Sequence, residues 1–234
     1  MPDRSKDGKY RPFSRSELQA HVNGNKTLGH YMVDPTENTT RLFAFDIDLT
    51  KTANKWMTAD SGKLNTWDGS RFVPGSPREH FSSDTIRPRL LDELLTIATA
   101  LASRAKRMLD IPVAISFSGS KGVHVYGFTG RESARVVKAA GHEVIKSTEM
   151  FENSRGQHFY RHISPPEEGF PNVEIEVFPK QDDMQGKDFG NLMRLPLGIH
   201  RQTNQPSYFL KITDFRSLQE MHPLKALKGN PPWA

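Results

Sequence analysis

Arg41-Leu42-Phe43-Ala44-Phe45-Asp46-Ile47-Asp48 is a short apolar run that ends in two carboxylates. Side chains alternate across a strand, so Leu42, Ala44, Asp46 and Asp48 share one face, and Phe43, Phe45 and Ile47 share the other. An aspartate at a strand end often caps the turn that follows it. That reading suits a single acid better than a pair, because two like charges on one face repel unless a cation lies between them or one holds a proton. A divalent metal site is the economical expectation, although the pair alone does not name a reaction.

Working outward, Ser14 stands three residues before Glu17, a capping signal that predicts a short helix over residues 13–22, stopped near Gly24. Residues 28–33 and 42–48 read as two strands joined by the Asp34-Pro35-Thr36-Glu37-Asn38 turn, a hairpin that delivers the Asp pair. Residues 51–83 form a loop-rich insertion with Gly62, Gly69, Pro74, Gly75 and Pro77. Loops of that length are usually functional or disordered. Trp56 and Trp67 within it are either stacking platforms for bases or anchors that pin the loop. Residues 87–109 give the strongest helical periodicity, with Leu90, Leu94, Ile97, Leu101, Ala105 and Met108 in phase. Arg104 and Arg107 lie in its last turn, where cations suit the helix dipole. They are structural first and nucleic-acid contacts second. Strands are expected over 113–118, 122–128, 172–178, 191–195 and 207–213, a helix over 132–145, and loop over 155–171.

With 234 residues, the chain can bury a substantial core. An apolar content of 35% and a mean hydropathy of -0.62 suggest long polar loops. No stretch approaches the roughly 20 apolar residues of a membrane span, and the start is not a secretory signal. Zero cysteines exclude disulfides, thiolate zinc sites and cysteine nucleophiles. A cytoplasmic protein without a membrane partner is expected. A net charge of +5 and a pI near 9.4 weakly favour an anionic partner.

Ser118-Gly119-Ser120-Lys121-Gly122-Val123-His124 adds a second element. Its glycines allow a sharp bend, its hydroxyls and amides offer donors, and Lys121 and His124 supply cationic groups: the composition of a phosphate cradle. It is not a Walker loop, since a strand follows it. His124 and Tyr126 share one face of that strand. In Val173-Glu174-Ile175-Glu176-Val177-Phe178, acids alternate with apolar residues, so Glu174 and Glu176 share a face. Either this is a half-exposed edge strand or it supplies a further metal ligand.

Asp-x-Asp at a strand end, then Ser-Gly-Ser-Lys-Gly-x-His, then an acidic strand resembles the three motifs of the archaeo-eukaryotic primase and primase-polymerase superfamily. The second motif is similar to that of bacterial end-joining polymerase domains. Glu176-Val177-Phe178-Pro179-Lys180-Gln181, with Gly190-Asn191-Leu192 and Leu195-Pro196-Leu197-Gly198-Ile199-His200, is similar to primase-polymerases of mobile elements, phages and CRISPR-associated or defence systems. The resemblance runs over residues 18–201. Glu176 stands where many relatives carry Asp.

The resemblance implies an α/β fold of the archaeo-eukaryotic primase type, in which an N-terminal α/β unit packs on a C-terminal antiparallel sheet like that of an RNA-recognition motif, with the site in the cleft. It implies one catalytic domain over residues 1–234, excised or not from a longer protein. It implies template-dependent nucleotidyl transfer, as a primase, a DNA polymerase or both. Asp46, Asp48 and Glu176 would hold Mg²⁺ or Mn²⁺, with Glu174 in reserve. Ser118, Ser120, Lys121 and His124 would bind the triphosphate. Lys180, Arg194, His200 and Arg201 are further phosphate candidates. Partners would be nucleoside triphosphates, single-stranded or primed template, and helicase or defence-system domains.

Two rivals remain at this stage. Phe43-Ala44-Phe45-Asp46-Ile47-Asp48-Leu49-Thr50 also resembles the nucleophile motif of haloacid dehalogenase-type phosphatases, with Asp46 as phosphoryl acceptor and Asp48 as acid/base. Such an enzyme needs a later acidic pair after a strand, whereas Asp182-Asp183 follows Pro179-Lys180 in a loop, and the Ser-Gly-Ser-Lys-Gly-x-His element would be left unexplained. The other rival is a non-catalytic domain that holds single-stranded nucleic acid.

Overall fold

The computed structural model describes residues 13–51, 86–154, 156, 158–163, 173–186, 189–201 and 203–210. Trp56, Trp67 and residues 52–83 of the expected insertion lie outside that set. In chain order the elements are α1 (Arg15–Val22), β1 (Gly29–Tyr31), β2 (Thr39–Leu49), α2 (Ile86–Leu109), β3 (Val113–Phe117) and β4 (Gly122–Ser133). These are followed by α3 (Ala134–Lys146), β5 (Phe151–Asn153), β6 (Phe159–His162), β7 (Val173–Phe178), β8 (Leu192–Arg194), β9 (Ile199–His200), β10 (Gln205–Pro206) and β11 (Tyr208–Leu210).

One seven-stranded sheet, in the order β11-β3-β4-β2-β7-β6-β5, organises the molecule. Every neighbouring pair in it is antiparallel. This is the expected mixed α/β architecture with an antiparallel core and flanking helices, and strands from both halves of the chain interleave in it. β2 sits at its centre between β4 and β7. Its alternation sorts the two faces: Phe43, Phe45 and Ile47 are fully buried, together with Val123 and Val125 of β4 and Ile175 and Val177 of β7. The helices cover this face. α2 contributes Leu94, Ile97, Ala98, Leu101 and Ala105, an apolar stripe at helical spacing. α3 approaches closely at Gly141, where a Cβ would touch Phe43 and Val177. The Arg104 guanidinium donates to the Ser147 hydroxyl at 2.8 Å and to its carbonyl at 2.9 Å, joining the end of α2 to the C-cap of α3.

α1 forms as its capping signal requires. Ser14 Oγ accepts the Glu17 N–H, and the Glu17 carboxylate accepts the Ser14 N–H, both at 3.3 Å. The expected hairpin between residues 28–33 and β2 does not form. Both hydrogen-bonding edges of β2 are taken by β4 and β7, so β1 pairs instead with β8, with Gly29 opposite Arg194 and Tyr31 opposite Leu192. Only the isolated Asp34–Thr39 bridge remains of the hairpin.

Two further expectations are corrected. β4 continues to Ser133 and absorbs the start of the expected helix, which begins one residue later with the Ser133 hydroxyl accepting the Val136 N–H. Part of the stretch read as loop is strand β6, paired with both β5 and β7. His21, fully buried, ties α1 to the C-terminal strands. Its Nδ1 accepts the Leu28 N–H at 3.1 Å, and its Nε2 donates to the Leu195 carbonyl at 3.1 Å, the tautomer being set by these partners. Gly198 is required there, because a Cβ would strike the imidazole.

Phe43 is the hinge of the helix-covered face, touching Phe45, the α3 backbone at Gly141 and Gly127 of β4. Phe43→Ala is expected to cost about 3–5 kcal/mol of stability, read as a lower urea midpoint with an unchanged slope; a loss under about 1 kcal/mol would contradict this packing.

Candidate active site

The opposite face of the sheet carries the polar residues. In register across five strands run Ser116 of β3, His124 of β4, Asp46 of β2, Glu176 of β7 and Phe159 of β6. The neighbouring row holds Gly122, Asp48, Glu174 and Arg161. Residues directly opposed on antiparallel strands have Cα atoms about 4.5–5.5 Å apart. Three sequence motifs, at residues 46–48, 118–124 and 174–176, therefore meet in two adjacent cross-strand rows.

Each of the three expected acids has a basic side chain as partner. Lys121 Nζ lies 2.8 Å from Asp48 Oδ2, and His124 Nε2 lies 3.3 Å from Asp46 Oδ1. Lys180 contacts Glu176 Oε1 as an ion pair without hydrogen-bond alignment. Its ammonium also sits over the rings of Phe178 and Phe159, at 4.9 and 5.3 Å from their centroids. Gly122 makes the Asp48 arrangement possible, because a Cβ there would occupy the position of Asp48 Oδ1.

The two aspartates titrate in opposite directions. Burial acts to raise Asp46, but the charge of His124 and its hydrogen bond, with Lys121 and Arg194 behind, outweigh it and hold the carboxyl below its usual range. Burial and the charge of Asp46 push Asp48 up, against the pull of Lys121 and His124. Arg194 reaches this field from β8. Burial lowers its pKa, while Tyr126, Asp46 and Asp48 oppose that fall. Burial likewise lowers Lys180, which Asp46 partly offsets.

Behind the acids runs a buried hydrogen-bonded line. His124 Nδ1 lies 3.0 Å from the Tyr126 hydroxyl, which is 3.4 Å from Ser116 Oγ. Burial raises the Tyr126 phenol well above its ordinary value, so it stays protonated. Sequence reasoning placed Tyr126 on the His124 face without giving it a part. The His-x-Tyr alternation was the available signal. It missed His30 of β1, which feels the charge of His124 and is lowered chiefly by burial.

The glycine-lysine turn is built to keep its shape. Ser118 Oγ accepts the N–H groups of Ser120 and Gly122 at 3.3 and 3.2 Å and is buried, so this hydroxyl folds the turn. Gly119 has φ +81° and packs so tightly on the β9–β10 hairpin that a Cβ would lie 2.8 Å from the Gln205 carbonyl and 3.0 Å from the His200 side chain. Thr203 donates to the Gly119 carbonyl, and Ser207 donates to that of Phe117 at 2.7 Å. Ser120 and Lys121 are left partly exposed at the tip, with His200 half-buried behind them and Arg201 exposed. His200 is lowered by burial and by the charge of Arg194. Arg104 is held on the helix-covered side by Ser147, and Arg107 is exposed on the same helix.

Hard oxygen donors side by side, one of them held ionised and one pushed up by burial and by its neighbour's charge, suit Mg²⁺ or Mn²⁺ in chemistry. Among the described residues, however, no three His, Asp or Glu side chains converge on one point that could hold an ion. The backbone brings the acids together, and their side chains turn to Lys121, His124 and Lys180.

A family model described as the archaeo-eukaryotic primase domain of the TOTE conflict system matches residues 2–229, and the chain belongs to that family. No curated protein matches it. Membership implies nucleotidyltransferase-type activity in general and a nucleic-acid partner. No described helix is long and apolar enough to cross a membrane.

The opposed shifts give opposite stability signs. Asp46, lowered on folding, contributes stability above the usual carboxylate range that is lost as the pH falls through its folded value. Asp48, raised on folding, costs stability as the pH climbs from the usual range through its folded value. At pH 7, Asp48→Asn is therefore expected to raise the Tm and Asp46→Asn to lower it, measured by calorimetry; the reverse order would contradict the electrostatics described.

Proposed function

We propose that the chain is the catalytic domain of a template-dependent nucleotidyltransferase, a primase, DNA polymerase or both, joining nucleoside triphosphates to a 3′-hydroxyl. The observation that carries the proposal is the cross-strand row His124–Asp46–Glu176 beside the Lys121 turn. Asp46, Asp48 and Glu176 would hold Mg²⁺ or Mn²⁺, with Glu174 one row away in reserve. Bound divalent ions supply activation of the hydroxyl and charge neutralisation on the triphosphate. Placing such ions requires Lys121 and Lys180 to release Asp48 and Glu176, which frees two ammonium groups beside the incoming phosphates.

The protein groups then have distinct tasks. Lys121 and the Ser120 hydroxyl, at the exposed tip of a rigid turn, bind the leaving phosphates, with Arg194, His200, Arg201 and Lys180 around them. Ser118 sets the shape of that turn. His124, oriented by Tyr126, donates toward either Asp46 or a phosphate oxygen. The 3′-oxygen forms its bond to the α-phosphorus as the bond to the bridging oxygen breaks in line; pyrophosphate leaves with that electron pair and the hydroxyl proton passes to solvent. Residues 1–234 would act as one catalytic domain with 51–83 as an insertion, alongside helicase or defence-system domains.

The phosphatase reading lacks its second acidic pair, since Asp182 lies beside α3, the helix covering the other face of the sheet, where it pairs with Lys138 at 3.1 Å. The nucleic-acid-binding reading draws on one observation, that each acid already has a basic side chain of the protein as partner. Primer extension on a single-stranded template with Mg²⁺ or Mn²⁺ separates all three. Extension by the wild type is expected, with Asp46→Ala, Asp48→Ala and Glu176→Ala each slower by roughly 10²–10³-fold or more. Template binding without synthesis would favour the binder, and phosphomonoester hydrolysis without incorporation the phosphatase.

A further inference from the structure

A cavity of about 520 Å³ lies between β1 and the first half of β2, lined by His30, Tyr31, Arg41, Leu42, Arg131 and Phe189 among others. We propose that it seats the nucleotide whose 3′-hydroxyl attacks, the end of the growing strand. This rests on the nucleotidyl-transfer reading above and assigns residues to its second substrate.

Position is the first argument. The Lys121 turn adjoins the Asp48 end of β2, since Gly122 is opposite Asp48 and Lys121 is bonded to it. In an in-line displacement, attacking and leaving oxygens lie on opposite sides of the phosphorus. If pyrophosphate leaves toward Lys121, the attacking oxygen comes from the other direction along β2, past Asp46 toward Ala44 and Leu42. At about 3.4 Å per residue, Leu42 is roughly 14 Å from Asp46, so a strand whose 3′-oxygen lies at the acids reaches the far lining of the cavity within its last two nucleotides. Leu42 and His30 both line the cavity, and His30 lies close enough to His124 to feel its charge, so the cavity adjoins the acid row.

The lining supplies the second argument. Tyr31 and Phe189 pair at 4.4 Å between centroids, both half-exposed, a platform for a base. The β-bulge between Thr40 and Leu42 interrupts the alternation at Arg41 and leaves it exposed at the rim. The other charges nearby are committed: Arg131 pairs with Glu37, and the Asp34 carboxylate accepts the N–H groups of Thr36 and Glu37. No ion pair joins Arg41 to another described residue, which leaves it for a phosphodiester.

The test places the fluorescent base 2-aminopurine at the 3′ end of an oligonucleotide primer annealed to a template, with the same label at the 5′ end as one control and 2-aminopurine nucleoside triphosphate as another. Binding to the wild type is expected to quench the 3′ label and not the 5′ label. Tyr31→Ala weakens binding of the primer end by roughly 5- to 100-fold, the range of a lost stack, Arg41→Ala weakens it and lessens its salt dependence as a lost phosphate contact does, and Tyr31→Phe retains it. Affinity for the free triphosphate stays unchanged in all variants. Equal quenching at both ends, unchanged affinity in the exposed variant Arg41→Ala, or quenching of the free triphosphate alone would overturn the assignment. Because binding is read without synthesis, primer extension run in parallel separates the two ideas. Extension without 3′ quenching removes this seat and leaves the reaction; quenching without extension leaves the seat and removes the reaction.

Discussion

Two carboxylates projecting from the same face of a central strand set the terms for everything around them. β2 cannot carry Asp46 and Asp48 side by side without opposing charge, and the fold delivers that charge from three directions: His124 across β4, Lys121 from the turn that begins β4, and Arg194 from β8. The apolar alternate residues Phe43, Phe45 and Ile47 hold the strand in place from the other side. One face of the sheet is thus a conventional core under two helices, and the other is an electrostatic assembly whose members come from widely separated parts of the chain.

That division explains what could be read from the sequence. The Asp pair, the glycine-lysine turn and the acidic strand each announce their facing by period-two alternation, and antiparallel pairing needs only register to bring them together. The capping box of α1 and the apolar stripe of α2 are local signals and were equally legible. The family resemblance added the order of the motifs, which no local pattern contains.

What escaped was decided by competition between strands. Nothing local in residues 28–33 says that both edges of β2 will be occupied, and so β1 reads as its hairpin partner when it pairs with β8. β5, β6, β9 and β10 are two to four residues long, too short for alternation to show, and they form where a neighbouring edge offers hydrogen bonds. The tasks of Ser118 and Tyr126 were hidden for a similar reason. A hydroxyl that folds its own turn and a phenol that orients a histidine look, in sequence, like any other serine or tyrosine.

The cationic partners also make the site adaptable. Lysines resting on Asp48 and Glu176 offset the charge of the acids, and in the proposed reaction each would be released to the incoming phosphates as ions bind. Manganese binding followed by electron paramagnetic resonance, in the presence of a nucleoside triphosphate, tests this directly. Ion binding by the wild type that is sharply weakened by each of Asp46→Asn and Glu176→Gln is the predicted result. Manganese binding left unchanged by both substitutions would contradict the claim that these acids share the ions.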